Sequence, residues 1–332
     1  MKAIAIFNGS LQDIDLPLPE VLPHDLIVRV EAISVNPVDT KVRKGTAPDA
    51  PARVLGWDVA GTVTAVGSAV TRFAVGDAVY YAGSLVRPGA NSEFHAVDER
   101  IVGNKPATLS MEQAAALPLT SITAWEALFD RLGIDRHGAH AGKRILLIGG
   151  AGGVGSIAIQ LAAKLAKLEV IATASRPQSS QWCRALGAAH VIDHHGDMAA
   201  QLRSLNIAEV DYILCMNSTD AHFAAMAEAI APQGKICTIV ENQAPLAVDP
   251  LFRKSATLVF ELMFTRSMFG TPDMDQQHAL LNEVAALIDA GILRSTLGAA
   301  AGSINAANLT RVHAALESGS TIGKVVLAGF DC

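Results

Sequence analysis

Lysine and arginine form no cluster in this chain, cysteine is sparse, and no apolar stretch is long enough to cross a bilayer. Only 17% of the 332 residues are charged, and the formal net charge is -6. Without a basic patch a nucleic-acid partner has no electrostatic footprint, so none is expected. No segment approaches the roughly 18 apolar residues of a membrane span. The opening Met1-Lys-Ala-Ile-Ala-Ile-Phe-Asn8 has too short an apolar run for a signal peptide and reads as a first strand. A cytoplasmic protein with no membrane partner is the expectation. The cysteines, Cys183, Cys215, Cys237 and Cys332, are scattered and form no C-x-x-C pair. Cys215 and Cys237 sit in apolar strand-like runs, so buried reduced thiols are expected and a disulfide framework is not. No Ser-His-Asp constellation and no paired carboxylates suggest hydrolysis. Internal repeats and low-complexity linkers are missing as well.

What is present is a compact, core-rich composition. Half the residues are hydrophobic, which argues against disorder, and the length suits two domains of ordinary size. The most telling stretch is Arg144-Ile-Leu-Leu-Ile-Gly-Gly-Ala-Gly-Gly-Val-Gly-Ser156. Ile145 to Ile148 form a continuous apolar run of the kind that makes a strand buried on both faces. Gly150, Gly152 and Gly155 match G-x-G-x-x-G, with Gly153 and Val154 between them. Val154, Ile157, Ala158, Leu161, Ala162 and Leu165 then recur at helical spacing. Strand, glycine turn and helix are what a dinucleotide pyrophosphate requires, because the backbone must approach the phosphates and the helix N-terminus must face them.

The next strand-like run, Val170-Ile-Ala-Thr-Ala174, narrows the cofactor. An NAD site carries an acidic residue about 20 residues after the glycines, for the ribose 2′-hydroxyl. This chain has Ser175-Arg176 there. A hydroxyl and a guanidinium neutralise a 2′-phosphate where a carboxylate repels it, so NADPH is the expected cofactor. The competing reading of Arg176 is an ordinary surface loop arginine.

The first 105 or so residues read as strands separated by Gly, Pro and Asp turns, around 26–33, 59–66 and 77–81. A helix opens at Ser110 with Gln113 completing a capping box, and Thr123 to Arg131 reads as a bridging helix. From residue 144, apolar runs near 145–148, 170–174, 190–192, 211–215, 235–240 and 257–263 alternate with helical or loop stretches. The expectation is an α/β fold, a doubly wound six-stranded Rossmann domain plus a mostly β domain with a barrel-like core. Helical patterns follow at 277–290 and 305–317, and Gly323-Lys-Val-Val-Leu327 reads as a strand returning to the first domain.

Several motifs in order then carry a resemblance. They are Ser34-Val-Asn-Pro-Val-Asp-Thr-Lys-Val-Arg43, Leu55-Gly-Trp-Asp-Val-Ala-Gly-Thr-Val63, Val75-Gly-Asp-Ala-Val79, Ala114-Ala-Ala-Leu-Pro-Leu-Thr120, the glycine turn, and Gly323 to Leu327. The whole chain resembles the medium-chain dehydrogenase/reductase superfamily, and within it the quinone-oxidoreductase-like members often labelled zinc-type alcohol dehydrogenases. The resemblance implies a GroES-like domain from residues 1–122 and 267–332 around a Rossmann NADP-binding domain from 123–266, an active site between them, and a homodimer paired through the nucleotide domains. Zinc-dependent members carry a Cys where this chain has Asn36 and a His-Glu pair where it has Trp57-Asp58. The loop after Tyr81, where a cysteine-rich structural zinc site belongs, contains no Cys. A catalytic zinc needs about three N, S or O side-chain ligands, so no zinc is expected. The histidine clusters, His137 with His140 and His190 with His194 and His195, read as surface groups.

The resemblance also suggests site residues. Asn36 stands at the former ligand position. Its amide either donates to substrate or nicotinamide, or bonds its own backbone before Pro37. Asp39 is expected to buttress that loop, with Lys41 or Arg43 as partner, rather than act as an acid. Trp57 walls the pocket or fills the core. Tyr81 is the best phenol donor, and since Tyr80 and Tyr81 alternate across a strand only one can face the pocket. Thr120, Asn217 and Val240 are implied to lie near the nicotinamide end of the cofactor, and Lys324 to reach the pyrophosphate. Arg266 either closes over the cofactor or marks a dimer contact. Without zinc to polarise a carbonyl, the expected acceptor is a small electrophile whose conjugation spreads charge, a quinone or an α,β-unsaturated carbonyl. The alternatives are a zinc-dependent alcohol dehydrogenase and a non-catalytic NADPH-binding redox sensor.

Overall fold

A computed structural model describes residues 1–331; Cys332 lies outside the described residues. The chain divides into two compact units, one formed by 1–122 with the segment from 264 onward, the other by 123–263. The second boundary therefore falls between Met263 and Phe264, rather than between Arg266 and Ser267.

The first unit opens with β1 (Lys2–Phe7), β2 (Ser10–Asp15), β3 (Asp25–Val35), α1 (Pro37–Gly45), β4 (Arg53–Val54), β5 (Val59–Val66), β6 (Ala78–Tyr81), β7 (Phe94–Asp98), β8 (Val102–Asn104), α2 (Met111–Ala115) and α3 (Pro118–Trp125). Ser110 caps α2, its hydroxyl accepting the Gln113 N–H at 3.2 Å while Gln113 Oε1 accepts the Ser110 N–H at 3.1 Å. That is the capping box expected from the sequence. Helix α1 lies where the apolar pattern offers only Val38 and Val42. Its start is fixed by Pro37, whose ring sets a helical φ and whose missing N–H costs nothing in a first turn. The bridging helix starts earlier than expected, at Pro118, and passes into a π-helical turn over Glu126–Arg131.

The second unit contains β9 (Arg144–Ile148), α4 (Gly153–Gln160), β10 (Glu169–Thr173), α5 (Pro177–Leu186), β11 (His190–Ile192), α6 (Met198–Ser204), β12 (Val210–Cys215), α7 (Thr219–Ala229), β13 (Ile230–Thr238), α8 (Asp249–Arg253) and β14 (Thr257–Phe260). Its six strands are all parallel in the order β11-β10-β9-β12-β13-β14. That is the doubly wound arrangement, with the switch point beside β9. Ile145 to Ile148 are wholly buried, each such side chain contributing about 1.5–3 kcal/mol relative to exposure. Strand β13 begins earlier than expected, at Ile230. Exposed Pro232 sits in the stretch of irregular register before the regular ladder starts at Lys235, where a missing N–H breaks no ladder bond. Cys183, Cys215 and Cys237 are buried free thiols, and burial pushes the pKa of each up to about 11 or 12.

The chain then completes the first unit with α9 (Thr265–Phe269), α10 (Gln276–Asp289), β15 (Leu297–Ala300), α11 (Ala306–Glu317) and β16 (Lys324–Ala328). Strand β16 pairs antiparallel with β3, inside a sheet of order β15-β16-β3-β5-β6-β8 with β7 also on β3, so the C-terminal strand does return to the N-terminal unit. Among the described residues, no helix is long and apolar enough to cross a membrane.

One buried group makes the first unit sensitive to acid. His313 on α11 is wholly buried, and neither ring nitrogen has a hydrogen-bond partner. Burial, with the nearby Arg43, pushes its pKa down to about 4. Below about pH 6.5 the unfolded chain takes up a proton that the native imidazole refuses, so stability falls as pH drops from 6.5 to 4. The loss is about 3 kcal/mol at full extent. His313→Leu is expected to lose less Tm than the wild type between pH 7 and pH 5. An equal loss in both proteins would show that His313 does not carry this sensitivity.

Candidate active site

In the second unit the glycine turn is shaped by close backbone approaches. Gly149 takes φ +91° and donates its N–H to Thr173 Oγ1 at 3.0 Å, while the Gly150 N–H bonds the Thr173 carbonyl at 3.0 Å. A Cβ on Gly150 would lie 2.8 Å from Ala172 Cβ, and one on Gly155 would lie 2.4 Å from the Gly149 carbonyl oxygen. These two glycines pack the helix onto the sheet. A Cβ on Gly152, by contrast, would meet only the Gly149 oxygen, at 3.5 Å. Space is therefore left in front of the α4 N-terminus, where Gly153 and Val154 belong to the first turn, whose N–H groups lack intrahelical acceptors.

Asn217 lies just past β12. Its Oδ1 is buried without a hydrogen-bond partner and would be 3.4 Å from a Cβ on Gly149. An orphaned acceptor beside a glycine cradle fits a hydroxyl or amide donor of a bound dinucleotide. Ser175 and Arg176 are exposed after β10, Arg176 at the N-cap of α5 with its N–H donated to Ser179 Oγ at 3.2 Å. No carboxylate stands beside them in the sequence. Val240, after β13, uses its carbonyl to accept the Thr219 hydroxyl at 2.7 Å. The residues of this unit therefore fit a phosphate-bearing dinucleotide.

In the first unit the structure gathers Asn36, Asp39, Asp58 and Lys324 into one buried network. The register does this: Val325 pairs with Val35, and Ile33 with Val59, so Lys324, Asn36 and Asp58 come together at one end of the sheet. Asn36 Nδ2 donates to Asp58 Oδ2 at 2.8 Å, with the Trp57 and Ser34 carbonyls at 3.3 and 3.4 Å. Asn36 Oδ1 accepts Lys324 Nζ. Lys324 Nζ also reaches the Val35 carbonyl at 2.8 Å and Asp58 Oδ2 at 3.0 Å. Asp58 Oδ1 accepts the Leu119 N–H at 2.7 Å.

Several expected roles change as a result. Lys324 does not extend toward a pyrophosphate; it is 3% exposed, and its three N–H hydrogens meet three acceptors. The Asn36 amide has no donor left for substrate. Asp39 does buttress the loop, but through the backbone: its Oδ2 accepts the Asn36 N–H at 2.8 Å, whereas Arg43 pairs with Glu317 at 2.6 Å. Arg266 is buried and bound to Asp273 at 3.0 Å.

Trp57 and Tyr81 are core groups. Trp57 is 1% exposed, gives its indole N–H to the Ser84 carbonyl at 3.2 Å and meets the Phe264 ring edge-on. Tyr81 is wholly buried, with its hydroxyl 3.0 Å from His95 Nδ1. His95 Nε2 lies 3.0 Å from the Pro88 carbonyl, which can only accept, so Nε2 carries the ring proton and Nδ1 accepts the hydrogen bond that the Tyr81 hydroxyl donates. Burial holds the His95 pKa at about 4 and pushes Tyr81 well above 10. Tyr81 is thus not a free phenol donor. Tyr80, on the opposite face of β6, gives its hydroxyl to the Leu281 carbonyl. The Thr120 hydroxyl donates to the Leu117 carbonyl at 3.1 Å, leaving its oxygen able only to accept.

The donors around Asn36 do not fit a divalent metal. An amide, one carboxylate and a backbone carbonyl already surround an ammonium, and no thiolate or imidazole is among them. Among the described residues, no group of three or more His, Cys, Asp or Glu side chains is arranged to hold a metal ion. Three donors point at Asp58 and none can accept, so its carboxyl stays ionised although burial pushes its pKa up against the pull of Lys324. Asp39 takes backbone donors only, that of Asn36 foremost, and burial raises its pKa to about 7 despite these and Lys324.

Asp39 therefore keeps a proton that the unfolded chain loses between about pH 4 and 7, and native stability falls as pH rises through that window. Asp39→Asn imitates the protonated form. It is expected to be more stable than the wild type at pH 8, by up to about 4 kcal/mol, with the advantage gone near pH 4. Urea midpoints at the two pH values check this; a variant equally destabilised at both would contradict it.

Comparison with known proteins agrees with this architecture. The alcohol dehydrogenase GroES-like domain family matches residues 22–110, and the zinc-binding dehydrogenase family matches 186–327. A zinc-type alcohol dehydrogenase-like protein of Staphylococcus aureus is 43% identical over 94% of this chain and 92% of its own. A quinone oxidoreductase of Pseudomonas syringae superposes with a TM-score of 0.83 at 28% identity, covering 98% of this chain and 99% of that one. An Escherichia coli quinone oxidoreductase solved in complex with NADPH gives 0.82 at 25% identity, over 99% and 100%. A glycine-turn nucleotide unit, a β unit built from both termini and these full-length matches make one assignment: the chain belongs to the medium-chain dehydrogenase/reductase superfamily, as a quinone-oxidoreductase-like oxidoreductase.

Proposed function

We propose that this oxidoreductase transfers hydride from NADPH to quinones or α,β-unsaturated carbonyls and does so without zinc. The observation that carries the reading is the Lys324 ammonium seated among Asn36, Asp58 and the Val35 carbonyl. Residues arranged around that ammonium offer no Lewis acid to polarise a simple carbonyl or hold an alkoxide. A conjugated acceptor spreads the negative charge that hydride addition creates and needs less help. Bound NADPH supplies the hydride, and the protein supplies orientation. The glycine cradle and the orphaned Asn217 oxygen support dinucleotide binding, and Ser175 with Arg176 supports the 2′-phosphate form. The proton that completes the reduction comes from solvent, because the Tyr81 and Asn36 donors are already committed to His95 and Asp58. Sedimentation as a homodimer goes with this reading: β14 is the edge strand of its sheet, and Phe260 and Leu262 are exposed beside it.

The test is oxidation of NADPH and NADH with 1,2-naphthoquinone and an enal as acceptors, before and after chelator treatment. Turnover that prefers NADPH and survives chelation is the expected result. Activity lost on chelation and restored by zinc would contradict it in favour of an alcohol dehydrogenase, and tight NADPH binding with no turnover would favour a redox sensor. Arg176→Glu should weaken NADPH binding by about tenfold or more while leaving NADH nearly unaffected. An equal effect on both nucleotides would remove Arg176 from phosphate recognition.

A further inference from the structure

The Lys324 network has a second side that the proposed reaction leaves unexplained. Asp58 divides its carboxylate between two tasks. Oδ2 takes the Lys324 and Asn36 donors, while Oδ1 takes the N–H of Leu119, in the first turn of α3. That N–H is among those a helix leaves without an intrahelical acceptor, and a carboxylate there also meets the positive end of the helix dipole. The next residue is Thr120, whose hydroxyl hydrogen is tied back to Leu117. Asp58, itself wholly buried, thus connects a cation on the last strand to the turn that carries Thr120.

We propose that the Lys324 ammonium is the resident cation of the first unit, and that its task is to fix Asp58 as a positioning residue for the Leu117–Thr120 turn. The proposal rests on the reductase reading for its effect on rate, not for its effect on structure. The ammonium is saturated by three acceptors, so it neither polarises a substrate nor binds phosphate. What it supplies is a stationary countercharge that keeps Asp58 ionised and oriented toward Leu119. Removing Lys324 alone strands a buried carboxylate, and neutralising Asp58 alone strands a buried ammonium. Replacing both by neutral groups leaves an amide whose oxygen can accept the Leu119 N–H and whose NH2 can donate to the freed Asn36 oxygen.

The experiment compares Asp58→Asn, Lys324→Met and the double variant. It uses amide hydrogen exchange at Leu119 in the nucleotide-free protein, Tm, and kcat against KM with a quinone acceptor. Each single variant should lose Leu119 protection by about tenfold or more. Each should also lose kcat by about ten- to a hundredfold, with a smaller change in KM, the effect expected of misplacing Thr120, which the resemblance sets beside the cofactor. The double variant should recover Leu119 protection, Tm and most of kcat. A folded Asp58→Asn protein with wild-type Leu119 protection and wild-type kcat would overturn the proposal. So would a double variant no better than Lys324→Met alone. Should the wild type reduce no acceptor, the reductase reading fails, and Leu119 exchange still decides whether Lys324 and Asp58 hold the turn.

Discussion

A buried ammonium with its carboxylate is the constraint on which the first unit is built. Taking both charges out of water costs several kcal/mol per ion, and the cost is recovered only when every donor and acceptor is matched. Here the match is complete: Lys324 meets three acceptors and Asp58 accepts three donors. The network joins β16, β3, the residue before β5 and the start of α3, so the C-terminal strand is locked to the N-terminal sheet by charge as well as by its ladder. Asp39 stands beside the pair and stays protonated up to about pH 7, which keeps the cluster from carrying an excess negative charge in the dry interior.

The proposed zinc-free chemistry stands against the label that the relatives carry. The matching family is described as zinc-binding, and the Staphylococcus aureus relative is called zinc-type. Yet the residues gathered around Asn36 here are an amide and an aspartate, with an ammonium between them. A name shared across a superfamily describes ancestry and fold; the chemistry follows from the donors actually present.

Most of the fold was legible in the sequence because its signals are local. The run Ile145 to Ile148, the glycine spacing after it and the helical period that follows lie within one short segment, and the structure gives them the expected strand, turn and helix. The capping box at Ser110 is equally local. The network around Lys324 was not legible, because its contacts join Lys324 to Asn36 across 288 residues, Leu119 to Asp58 across 61 and Asn36 to Asp58 across 22. Sheet register sets these distances, and register cannot be read from spacing alone. Tyr81 shows the same limit at shorter range. Strand alternation separates it from Tyr80, but it does not reveal that His95, on a strand not paired with its own, accepts its hydroxyl hydrogen bond. A lysine immediately after Gly323 at the start of an apolar strand was the one available signal that a charge was being carried into the sheet.

The proposed cation of this site is the chain's own Lys324 ammonium. Metal analysis by mass spectrometry, on protein produced in zinc-supplemented medium and purified without chelator, tests it most directly. Zinc far below one ion per chain in the wild type is the expected result. One tightly held zinc per chain, lost together with activity when Asp58 is changed to alanine, would contradict it.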